Sequence, residues 1–198
     1  MGRSEGLKDP RPPAVGVILG GMKHCGKSTH GRALARHWDC PFYDTDDLVV
    51  ERFRPEFGED VTIRDVCLTL GDDGFREAEW DVLLALYRRQ VRSRERYVVS
   101  LGGRLVTNSE VYPILNGLGA FVFLRVDLQL LFKRVMRRGL PPFLSEERPW
   151  DDFRAVYAER EPFYTCYADL MVTLPDLPID EASSRVIREI EEYLDGRQ

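Results

Sequence analysis

The stretch Gly21-Met22-Lys23-His24-Cys25-Gly26-Lys27-Ser28 fits G-x-x-x-x-G-K-[ST] at every fixed position. Such a loop binds phosphate: its glycines let backbone N–H groups curl around an anion, and the helix that follows adds the partial positive charge of its N-terminus. In this pattern Lys27 reaches the terminal phosphates of a nucleotide and Ser28 ligates Mg²⁺. Thr29 continues the motif into the helix. The plainer account, a chance match in a glycine-rich turn, is opposed by the context. The apolar run Ala14 to Gly20 precedes the loop as a buried strand would, and Thr29 to Trp38 follows as a helix.

A phosphate loop names a ligand and leaves the reaction open. Phosphoryl transfer is mainly positioning and charge neutralisation, so it needs a metal carboxylate, a group for the attacking hydroxyl, cations and acceptor-binding groups. Four places supply candidates. Asp44-Thr45-Asp46 leaves a short strand, Pro41 to Asp44, with its carboxylates at alternate positions, one toward Mg²⁺ and one toward an acceptor hydroxyl. An acidic cap on the next helix is the simpler use of the same residues. Arg76 stands near a helix start with Glu79 one turn on, placed to hold its guanidinium. Gly102-Gly103 follows a buried strand and permits close backbone approach to a small ligand, or makes an ordinary turn. Arg160, in Arg160-Glu161-Pro162-Phe163-Tyr164, says nothing alone.

The elements that must position these residues alternate. Strands are expected at 14–20, 41–44, 97–101, 121–124 and 170–174, with helices at 29–38, 47–53, about 62–70, 74–92, 110–118, 128–138, 150–164 and from 180 onward. Pro55 and Gly58 should end the second helix, and Gly71 to Gly74 should form a turn. The long helix presents Phe75, Ala78, Val82, Leu83 and Leu86 inward, and the last presents Ala182, Val186, Ile190 and Leu194. Five short apolar strands alternating with helices predict a three-layer α/β/α domain of P-loop NTPase type, its five-stranded parallel sheet centred on the phosphate-loop strand. One domain, 14–198, is expected. Residues 1–13 read as a loose tail, and the proline-bearing segment at about 139–149 as a lid.

Composition narrows the class. At 43% hydrophobic and 31% charged residues, the 198-residue chain can bury a sizeable core. A net charge of −5 argues against a general nucleic-acid binder. No run approaches a membrane span, and the first residues lack a signal peptide's apolar centre. Cys25, Cys40, Cys67 and Cys166 are scattered, as free thiols of a cytoplasmic protein would be, with Cys25 a small filler in the loop.

Taken together, Gly-x-x-x-x-Gly-Lys-Ser, Asp44-Thr45-Asp46, Gly74-Phe75-Arg76-Glu77-Ala78-Glu79, the strand ending in Gly102-Gly103, and Arg160-Glu161-Pro162-Phe163-Tyr164 with Ala168-Asp169 form an ordered set that resembles the shikimate kinases. The likeness runs from about Val15 to Leu194. It implies a cytoplasmic, monomeric, ATP- and Mg²⁺-dependent kinase that phosphorylates shikimate, a step of aromatic amino acid biosynthesis. By the same resemblance Asp44 helps hold Mg²⁺, Asp46 hydrogen-bonds the acceptor hydroxyl, Arg76 and Arg160 grip the shikimate carboxylate, and the Gly103 backbone contacts a substrate hydroxyl. Arg134 lies against adenine, with Pro175 or Pro178 opposite. Two departures stand out: Arg104 where the family has a third glycine, and Pro141 where its lid has an arginine. Arg137, Arg138 or Arg104 is expected to stand in for the missing charge. A related kinase with another acceptor, such as gluconate, is the first alternative, opposed by Leu48-Val49-Val50-Glu51 where a histidine and proline would be expected. A kinase-derived nucleotide binder with little turnover is the second.

Overall fold

The computed structural model describes residues 16–108, 110–137, 139–141 and 144–197. Five strands form one parallel sheet: β1 (Gly16–Gly20), β2 (Phe42–Asp44), β3 (Tyr97–Ser100), β4 (Ala120–Val126) and β5 (Leu170–Leu174), in the order β2-β3-β1-β4-β5. The phosphate-loop strand is central, as its run of residues without a polar side chain requires: all five residues of β1 are buried. A parallel sheet needs a crossover after each strand, and helices supply it. They are α1 (Lys27–Trp38), α2 (Thr45–Phe57), α3 (Ile63–Gln90), α4 (Val111–Leu118), α5 (Leu128–Met136), α6 (Pro149–Tyr167) and α7 (Ile179–Asp195). α1 and α7 pack together, while α3, α4 and α6 meet around a short 3₁₀ turn at Leu105–Thr107 that the sequence did not announce.

Several boundaries differ from expectation for identifiable reasons. Pro55 does not end α2, because a proline near the last turn gives up one backbone donor without halting the chain; the stop is Gly58, at φ 100°. The expected turn at Gly71 to Gly74 is a kink at one residue, Gly71 (φ 67°, ψ −175°), inside α3. That helix opens on a capping box, Thr62 bonding the Asp65 N–H while the Asp65 carboxylate bonds the Thr62 N–H. Pro162 likewise sits within α6, which runs on to Tyr167. Leu194 is only partly buried, whereas Ala182, Val186 and Ile190 are in the core. The expected lid residues Pro142 and Phe143, the candidate Arg138, and the expected tail lie outside the described residues.

Apolar side chains gather in two places. The main core surrounds the sheet and includes Ile18, Leu19, Val122, Phe123, Phe153 and Tyr164. A smaller one holds α2 against α3 through Val49, Val66, Phe75, Ala78 and Val82. Phe75 closes this second core, and thereby fixes the rotation of the helix that carries Glu79 one turn later. All of the described helices are too short or too polar to cross a membrane.

Candidate active site

Register brings the chemistry to one edge of the sheet. Asp44 lies opposite Ser100, and Ser100 opposite Leu19, so the ends of β2, β3 and β1 stand level just where the phosphate loop begins. The loop itself requires unusual backbone. Gly26 has φ 103°, and a Cβ there would come within 2.6 Å of the His30 ring nitrogen Nε2. His24 adopts the left-handed region at φ 65°. Met22 and Cys25 are buried supports, and Lys23 is exposed at the tip. Gly26 caps α1 with no side-chain acceptor, which leaves the first N–H groups of the helix, from Lys27, Ser28 and Thr29, for an anion. Lys27 meanwhile closes the loop on itself, its ammonium donating to the carbonyls of Gly21 at 2.9 Å and Met22 at 3.1 Å.

Ser28 Oγ donates to Asp44 Oδ2 at 2.6 Å and lies 3.3 Å from Ser100 Oγ. Asp44 also accepts from the Asp46 N–H, so it caps α2 while its other carboxylate oxygen faces Ser28. The chain forms no cluster of three or more His, Cys, Asp or Glu side chains able to cage a metal among the described residues. One hydroxyl and one carboxylate beside a phosphate site is nevertheless the donor set Mg²⁺ uses, since it keeps waters and borrows phosphate oxygens.

The other half of the site faces Asp46. Gly102 is the meeting point: a Cβ on it would lie 2.8 Å from Glu79 Oε1, 3.0 Å from Asp46 Oδ1 and 3.2 Å from Thr45 Oγ1. The Gly102 N–H is held by that Thr45 hydroxyl at 2.7 Å. Burial raises the Asp46 carboxyl above its usual range and the Asp44 charge adds to this, with Lys27 and Lys23 partly offsetting both. Glu79 is pushed up to about 7 by burial and by Asp46, against the opposing pull of Arg104, Arg160 and Arg76. Glu79 does not pair with Arg76, contrary to the spacing argument. Arg76 is exposed and makes no ion pair among the described residues, because Phe75 and Ala78 take the buried face and turn it outward.

Arg160 is the more telling cation. It reaches the site from α6, its Nη1 donating to the Gly103 carbonyl at a long 3.4 Å, and its Nε is buried with no hydrogen-bond partner. Burial draws this guanidinium below its ordinary value, so the charge is held there at a cost. An under-satisfied buried guanidinium of this kind suits a carboxylate. The remaining candidates sort themselves. Arg134 pairs with Asp176 at 3.3 Å, beside the turn carrying Pro175 and Pro178. Arg104 pairs with Asp72 at 3.1 Å and lies over the Phe75 ring, which ties it to α3. Arg137 is exposed.

Two groups escaped the sequence reading. His30, beneath Gly26, bonds Ser183 Oγ through Nδ1 at 2.9 Å, and burial lowers its basicity. Tyr164 bonds the carbonyls of both Gly21 and Gly103. Its position one helical turn after Arg160 was the available signal.

The geometry has counterparts among known proteins. A family model described as shikimate kinase matches residues 23–191. A shikimate kinase of Geobacter metallireducens is 33% identical over 181 residues, covering 91% of this chain and 92% of its own. That of Chlamydia pneumoniae is 33% identical over 144 residues, 73% and 77% of the two chains. A solved shikimate kinase from Acinetobacter baumannii in complex with shikimate superposes with a TM-score of 0.76 at 25% identity, covering 89% of this chain and 93% of that one.

Proposed function

Because the chain belongs to the shikimate kinase family, we propose that it transfers the γ-phosphoryl group of ATP to a hydroxyl of shikimate, giving shikimate 3-phosphate and ADP. The observation that carries the acceptor side is Arg160: a partly buried guanidinium whose buried Nε has no partner, beside the Gly103 backbone and acting on the Glu79 carboxyl, is a place made ready for a small acid that also bears hydroxyls.

Each residue then has a task. On nucleotide binding Lys27 leaves the Gly21 and Met22 carbonyls for the β- and γ-phosphates, while the N–H groups at the start of α1 hold the phosphate oxygens. Arg134 flanks adenine. Ser28 and Asp44 would hold Mg²⁺, which neutralises phosphate charge when bound. Arg160 takes the shikimate carboxylate, with Arg76 closing over it from solvent. Asp46 accepts the hydrogen bond of the attacking hydroxyl. Its raised proton affinity fits a group that takes that proton as the new oxygen–phosphorus bond forms and the bond from the γ-phosphorus to the bridging oxygen breaks. Gly102 and Gly103 leave room for the ring. The segment 139–149 is the lid, and 14–198 acts as a single domain. The Arg104 to Asp72 pair supports a place in the acceptor wall rather than over the phosphates.

The test is product identity. Incubation with ATP, Mg²⁺ and shikimate should give ADP and a phosphorylated acid in equal amounts by ³¹P NMR, and gluconate should give neither. ADP formed without phosphorylated acid would refute the reading.

A further inference from the structure

The phosphate half and the acceptor half share one proton. Tyr164 is wholly buried on α6, its ring stacked on Phe123 with centroids 5.1 Å apart. Its hydroxyl lies 3.0 Å from the Gly21 carbonyl and 2.9 Å from the Gly103 carbonyl. A phenol carries a single donor hydrogen, so it serves one of these acceptors well at a time. Burial pushes the phenol well above its ordinary value, which keeps that hydrogen in place. The two carbonyls differ in their other donors. Gly21 O accepts a charge-assisted bond from Lys27 Nζ at 2.9 Å, whereas Gly103 O has, among the described residues, only the long contact with Arg160 Nη1 at 3.4 Å. With Lys27 in that position, the Tyr164 hydrogen belongs on Gly103 O.

We propose that Tyr164 is a positioning residue that couples nucleotide binding to acceptor binding: when Lys27 leaves Gly21 for the phosphates, the Tyr164 hydrogen turns to Gly21 O and frees Gly103 O to accept from an acceptor hydroxyl. The proposal rests on the shikimate kinase reading of the site, specifically on Lys27 moving to phosphate. Only the hydroxyl torsion changes. A buried carbonyl stripped of its donor is costly, so Gly103 O favours an incoming hydroxyl after nucleotide has bound, while before it the acceptor must compete with Tyr164. The same linkage makes shikimate tighten nucleotide binding by an equal factor.

The experiment is calorimetric titration of shikimate with and without a non-hydrolysable ATP analogue and Mg²⁺. It uses wild type, Tyr164→Phe, which keeps the ring and its stacking, and Lys27→Met. Wild type should bind shikimate about 3- to 10-fold tighter with nucleotide, the scale of one net hydrogen bond. In Tyr164→Phe that ratio should collapse to near one, while melting temperature and nucleotide affinity stay close to wild type. Lys27→Met should bind shikimate more tightly than wild type in the absence of nucleotide, by a similar factor, and this arm decides the matter should the tyrosine variant fold poorly. An unchanged ratio in Tyr164→Phe, no ratio in wild type, or no gain in Lys27→Met would overturn the coupling. Wild type that neither binds nor phosphorylates shikimate fails the functional reading and the coupling together; normal turnover with unchanged coupling in Tyr164→Phe fails the coupling alone.

Discussion

The phosphate half and the acceptor half of the site are built in opposite ways. The first comes from one continuous stretch, Gly21 to Ser28, mounted on the central strand and the main core. The second is gathered from Asp46 on α2, Glu79 on α3, Gly102 and Gly103 after β3, and Arg160 on α6, and two of those elements rest on a separate small core. The phosphate half works chiefly through backbone N–H groups and one lysine, so nearly any sequence that forms the loop binds the same group. The acceptor half works through side chains whose charges act on one another, so it is specific and also sensitive. Glu79 near 7 and the under-satisfied Arg160 are the signs of that sensitivity.

This contrast can be broken from either side. Lys27→Met removes the partly buried ammonium that closes the phosphate loop and should lower kcat by about 10⁴-fold with the melting temperature near wild type. Retained turnover in steady-state assays would dissolve the distinction. Asp46→Asn, where the halves meet, should lower kcat by about 10³-fold with a smaller rise in the shikimate KM. On the acceptor side the two arginines should separate. Arg160→Ala leaves a bound carboxylate without its enclosed partner and should weaken shikimate binding by about 2 to 4 kcal/mol, roughly 30- to 900-fold. Exposed Arg76→Ala should cost about 1 kcal/mol, close to fivefold. Neither should move the ATP KM appreciably, and equal losses at both positions would show that exposure in the free protein misleads.

The smallest effect concerns pH. The Glu79 carboxyl has a higher pKa folded than unfolded, so its contribution to stability is full below the ordinary value near 4.5 and is lost as pH rises through about 7. Wild type should therefore lose stability relative to Glu79→Gln between about pH 5.5 and 7.5, on the order of 1 kcal/mol. Urea melts at the two pH values check it, and parallel curves would place Glu79 in ordinary surroundings.

Legibility followed the same division. The loop, its strand and its helix were readable because the motif, the apolar run and the turn residues are adjacent in sequence. So was the sheet, with β1 at its centre. Asp44 and Asp46 stood out by their alternate positions at the end of a strand, with a plain helix cap as the rival use, whereas Arg160 was legible only as a member of the ordered set. What the sequence hid was which charge faces which. The Arg76 and Glu79 spacing suggested a pair, yet the small core under Phe75 buries Glu79 and leaves Arg76 outside. Tyr164 was hidden for a similar reason: its partners are backbone carbonyls 143 and 61 residues away, which no spacing encodes.

The most direct trial of the account compares ADP release with shikimate and with its methyl ester, which keeps every hydroxyl and loses the charge. If the fold-assembled half recognises a carboxylate through Arg160, the ester should fall at least about 30-fold in kcat/KM while the ATP KM stays the same. Equal turnover of acid and ester would contradict it.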